Sequence, residues 1–87
     1  MSLNFTNPSR SYDSTRRAVR FWGYDSSMEV SFFVTEDALH HLQPSTSAAD
    51  DGFLHAFDPH RRRIQEVATR VYARGRKGSY ELHTTDF

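Results

Sequence analysis

"RAVRFWGYDSSMEVSFFVTEDALHHL", residues 17–42, holds two strand-like segments and the start of a helix. Its first part, residues 17–24, has the aromatic and β-branched content of a strand, with Val19 and Phe21 on one face. Arg20, Trp22 and Tyr24 take the other face, and "YDSS" supplies a polar turn. Residues 28–35 then alternate, Met28, Val30, Phe32 and Val34 inward and Glu29 and Ser31 outward. Two such segments around a short turn predict an antiparallel hairpin. Thr35 follows as a helix N-cap, with Glu36 and Asp37 placed against the positive end of the helix dipole. Ala38, Leu39 and Leu42 give this helix its apolar side, and Pro44 ends it.

Outward from this centre, "LNFT" near the start suits a short strand with Leu3 and Phe5 on one face. The intervening "NPSRSYDST" reads as turn-rich, because Asn7, Pro8 and the serines favour irregular backbone. After the small, polar loop "PSTSAADDG", a main helical region runs from about Asp50 to Arg74. Phe53, Phe57, Ile64, Val67, Ala68 and Val71 share one sector of it at helical spacing. Asp58 followed by Pro59 has the form of an N-cap and first-turn pair, which predicts a break or kink. Gly75 stands where a terminating glycine belongs, and "SYELHT", residues 79–84, closes the chain as a strand. The expectation is one α+β domain over residues 1–87: a small antiparallel sheet in the order β-β-β-α-α-β, with two helices packed on one face.

Eighty-seven residues allow one core but little room for a deep enclosed site. Cysteine is absent, which excludes disulfides, thiolate catalysis and Cys-ligated zinc. No apolar run approaches the roughly 18–20 residues of a membrane span, and the first residues lack a secretory layout, so a cytoplasmic protein without membrane contact is expected. Net charge is zero, yet the charges are segregated. Residues 10–20 carry +3, residues 21–60 carry seven acids and no Lys or Arg, residues 61–77 carry +6, and the last ten carry −2. Such blocks invite contact with one another, within the fold or between chains.

"HRRRIQEVATRVYARGRKG", residues 60–78, holds seven of the eleven basic residues. On a helical projection Arg62 lies opposite the apolar stripe beside Glu66, and Arg63, Arg70 and Arg74 line one flank. Glu66 and Arg70 form an i,i+4 pair in the favourable order, worth roughly 0.3 kcal/mol. The ordinary reading is a solvated helix face. The functional one is an anion- or nucleic-acid-contacting ridge of Arg63, Arg70, Arg74, Arg76 and Lys77, with Trp22 or Tyr24 as a stacking platform if the outer sheet face is open.

Arg61 falls instead inside the apolar sector, beside Ile64 and Ala68. A guanidinium there must either extend along the core to solvent or meet a carboxylate, Asp13 and Glu29 being the candidates for a structural ion pair. The five histidines match no metal-site spacing: His40 and His41 diverge on a helix, and Pro59 separates two members of "HAFDPH". No nucleophile triad and no phosphate-cradling glycine loop can be singled out. No metal, cofactor or catalytic residue is therefore expected.

The order and spacing of "NFT" and "YD", then "AVRF", "EVSFFV", "DALHHL", "FDPHRRRIQEVA" and "GSYELHTTDF" resemble a family of short bacterial proteins, domain of unknown function 1488, over nearly the whole chain. The resemblance implies a compact α+β domain and places Arg61 among apolar neighbours as part of the family pattern. It carries over no activity, cofactor or catalytic residue. Pro59 departs from that pattern and speaks against one unbroken long helix. The expected function is a non-catalytic cytoplasmic interaction module with an unknown protein partner or self-association through its opposite charge blocks. The alternative is a weak nucleic-acid-binding domain using the basic helix end, residues 61–77.

Overall fold

A computed structural model of the chain describes residues 3–46, 50–75 and 79–87. The hairpin is its spine. β3 (Ala18–Asp25) and β4 (Met28–Thr35) pair antiparallel along their full length, from Ala18 opposite Thr35 to Asp25 opposite Met28. Ser26 turns the chain with φ at 56°, a left-handed conformation that a side chain adopts at some cost. Val19, Phe21, Val30, Phe32 and Val34 point inward and are buried, as the alternation predicts. Met28 is the exception: at the hairpin's end, opposite Asp25, it lies half-exposed.

β1 (Leu3–Asn4) and β2 (Arg10–Asp13) both pair antiparallel with β3, along the same side. Continuing the β1 register would set residue 7 opposite Phe21, but Arg10 stands there. The segment around Pro8 thus loops out and lets the chain rejoin the same edge. β2 corrects the reading of that region as turn alone: Tyr12, opposite Val19, stacks on Phe53 with centroids 6.1 Å apart, and this packing overrides weak local propensity. Leu3 and Phe5 pack over Gly23. A Cβ there would lie 3.0 Å from Phe5, 3.1 Å from Leu3 and 3.2 Å from Phe32, so a larger residue would have to push these side chains aside by a few tenths of an ångström.

α1 (Glu36–Leu42) starts as expected, with Thr35 Oγ1 accepting the Ala38 N–H at 3.2 Å. α2 (Asp50–Phe57) leads into a 3₁₀ turn, Asp58–His60, and then α3 (Arg61–Ala73). Pro59, which has no N–H to donate, sits in that turn and divides the helical region in two. Gly75 follows α3 without adopting a left-handed φ, so it does not end the helix in the expected way. β5 (Ser79–Leu82) then joins the sheet beside β4, and it is parallel to it, Phe32 opposite Tyr80 and Val34 opposite Leu82. A long helical crossover permits such pairing. The result is an α+β fold: a five-stranded mixed, mostly antiparallel sheet, ordered β1/β2–β3–β4–β5, with helices against one face.

One aromatic core lies between the layers. Phe21 stacks on Phe32 at 5.4 Å and meets Phe57 at 5.2 Å; Phe32 stacks on Tyr80 at 5.3 Å. Ile64, Val67, Ala68 and Tyr72 of α3 complete it. Among the described residues, no helix is long and apolar enough to cross a membrane.

Candidate functional site

Arg61 is half-buried at the start of α3, and both of its expected roles are combined in one arrangement. Its stem follows the core and its guanidinium lies 4.8 Å from the centre of the Phe57 ring. Nη2 donates to the Pro8 carbonyl at 3.0 Å and lies 3.4 Å from Asp58 Oδ1. The carboxylate is therefore Asp58, and neither Asp13 nor Glu29. Asp13 accepts the backbone N–H of Arg16 at 3.1 Å, and Glu29 accepts the Tyr24 hydroxyl at 3.1 Å. Asp58 had the look of a helix cap, but it makes no capping bond in this structure. It faces β2, where Arg10 grips it with Nε at 2.8 Å and Nη2 at 2.7 Å. Arg10's hydrogen bonds hold the Asp58 carboxyl below the usual carboxylate range, against the opposing effect of partial burial. The same bonds raise the guanidinium of Arg10.

Other acids of the long acidic block are also engaged within the fold. Glu36 accepts from the Tyr12 hydroxyl and lies 3.3 Å from Arg17 Nη2. Asp25 accepts from the Tyr72 hydroxyl at 2.5 Å. With Glu29 and Asp58, four of the seven acids between residues 21 and 60 are tied to tyrosines or arginines.

The α3 bases fare differently. Arg62, Arg63 and Arg70 are exposed, and no carboxylate among the described residues lies within ion-pair distance of them. The expected Glu66–Arg70 pair is not formed. Instead Arg63, Glu66, Val67, Thr69 and Arg70 line a shallow open depression along the helix. Arg74 leaves this row to approach Asp86 at 3.5 Å. Arg76 and Lys77 lie outside the described residues.

The sheet's outer face carries a second basic and aromatic group. Arg16 sits 4.1 Å above the Phe33 ring, and Arg20 lies 5.6 Å from Phe33 and 5.1 Å from Trp22. Arg20 Nη2 donates to Ser31 at 2.9 Å, while its Nε is buried with no acceptor. These two arginines cover Phe33, only 4% exposed although it lies on the sheet face turned away from Phe32 and Val34 of the core. The alternation of β3 places Trp22 and Tyr24 here too, on the side of the sheet away from α3. They therefore cannot extend the α3 ridge as a stacking platform. Among the described residues no group of three His, Asp or Glu is placed to hold a metal ion. His40 packs edge-on to Phe53 at 5.7 Å.

A family model described as "Protein of unknown function (DUF1488)" matches residues 3–83. The chain belongs to the DUF1488 family. A crystal structure of a protein of unknown function from the same family, from Shewanella loihica PV-4, superposes with a TM-score of 0.82 at 20% identity. It covers 93% of this chain and 91% of that one, and at this identity the likeness bears on the fold alone. Comparison with curated proteins gave no match. In this DUF1488 chain the long helical segment is divided at Pro59, and Asp58, in the dividing turn, faces Arg10.

Proposed function

We propose that this DUF1488 chain is a non-catalytic interaction domain of the cytoplasm, which takes an acidic segment of a partner protein on the outward face of α3. The unequal fate of the two charge blocks carries this reading. Four of the seven acids are bonded to tyrosines or arginines of the same fold, whereas Arg62, Arg63 and Arg70 stand exposed and unpaired among the described residues. Arg63 and Arg70 lie seven residues apart, about 10 Å along the helix axis, so an extended acidic segment reaches both.

A row of arginines also suits phosphates. Single-strand binding, however, couples a basic groove to stacking aromatics, and Trp22 and Tyr24 lie on the opposite side of the sheet. That separation favours a protein partner over nucleic acid. The test is a nuclear magnetic resonance titration at ~50 mM salt with a short glutamate-rich peptide and, separately, a single-stranded RNA of matched charge. Shifts centred on Arg62, Arg63 and Arg70, larger for the peptide, support the proposal. Tighter binding of RNA transfers the face to the nucleic-acid reading, and no response to either probe excludes an anion-binding role.

A further inference from the structure

β5 stands at one edge of the sheet, hydrogen-bonded to β4 on one side and to no strand among the described residues on the other. An edge strand presents backbone N–H and C=O groups that a further strand can pair. Beside this edge opens a cleft of about 450 Å³, whose wall includes Ser79, Tyr80 and Glu81 of β5 together with Arg16, Arg74 and Asp86. The wall is balanced in sign. Arg74 and Asp86 lie 3.5 Å apart, while Arg16 has no carboxylate partner among the described residues. Among the described residues Glu81 has only His83, at 3.7 Å, for an ion-pair contact.

We propose that β5 is a pairing edge for a second copy of this chain, two β5 strands meeting antiparallel across a two-fold axis. An isologous contact sets a surface against itself, so it must carry both signs, as this wall does. A uniformly acidic or basic peptide would meet like charge there. The chain's zero net charge also removes long-range repulsion between copies. The pleat restricts the register, since residues directly opposite must share a face. An axis at Glu81 would oppose two carboxylates; an axis at Tyr80 sets Ser79 opposite Glu81 of the second copy and offers that carboxylate the unpaired Arg16. This surface is distinct from the α3 face, and neither proposal depends on the other.

Sedimentation equilibrium of the full chain across roughly 1 μM to 1 mM reads the association directly. The expected result is a monomer–dimer equilibrium, weakened about tenfold or more by Glu81→Arg and by Arg16→Glu, and restored when both changes are made in one chain. Glu81 and Arg16 are exposed, but Arg16 covers Phe33, so circular dichroism and thermal unfolding check that each variant keeps the fold. A monomer throughout the range overturns the proposal. So does a dimer indifferent to these charges or one that the double change fails to restore.

Discussion

Arg10 and Asp58, 48 positions apart, meet in a two-pronged ion pair that fastens β2 to the break between α2 and α3. Arg61 joins them from the other side and reaches the Pro8 carbonyl, so one carboxylate organises the loop before β2, the strand itself and the helix turn.

Asp58 gives a pH dependence of definite sign. Its carboxyl is lowered in the folded state, so its contribution is present above the unfolded value near 3.9 and is lost as pH falls through the folded value. Because both partners are partly exposed, it amounts to roughly 0.5–1 kcal/mol. Asp58→Asn is expected to remove that amount at pH 7 and to flatten the loss of stability between pH 5 and 3, read by urea unfolding at each pH.

Gly23→Ala tests the close approach of β1. The added methyl meets Phe5, Leu3 and Phe32 together, and a packed core yields poorly to three contacts at once. A net loss of about 1–2 kcal/mol is expected in chemical denaturation, despite the lower entropy of the unfolded alanine chain.

Ser26→Gly should act in the opposite direction. Ser26 occupies a left-handed φ in the two-residue connection between β3 and β4, where glycine is preferred. A gain of about 0.5 kcal/mol, seen as a higher urea midpoint with unchanged slope, is the expected outcome.

Tyr72→Phe removes the hydroxyl that meets Asp25 while keeping the ring in the core. A hydrogen bond to a charged group predicts a loss of about 1–2 kcal/mol by thermal unfolding. An unchanged midpoint would show that solvent replaces the hydroxyl at no cost.

The hairpin, the Thr35 cap and the helix break were legible in the sequence because each is set by neighbouring residues: alternation, a hydroxyl before two acids, a proline in a helical pattern. β2 was not, since "RSYD" has no strand pattern of its own and becomes a strand only through β3 and Phe53. The parallel entry of β5 depends on the crossover's path, which no local signal encodes. At the candidate site, the outward direction of Arg62, Arg63 and Arg70 followed from helical spacing. The partner of Arg61 did not: Asp58 carries the sequence mark of a helix cap, and only the return of β2 shows that its carboxylate faces Arg10 and Arg61. The tyrosine–carboxylate pairs were equally hidden, joining residues far apart in the chain such as Tyr72 and Asp25.

Free positive charge on α3, offered to an acidic partner, is the core of the proposed function. Its most direct measurement is the affinity for a glutamate-rich peptide as a function of salt, for the native chain and for the Arg62→Ala, Arg63→Ala, Arg70→Ala variant. The affinity is expected to fall steeply from ~50 to ~300 mM salt in the native chain and to be about tenfold or more weaker in the variant at the low-salt end. Equal affinity of the two proteins, or binding indifferent to salt, would contradict it.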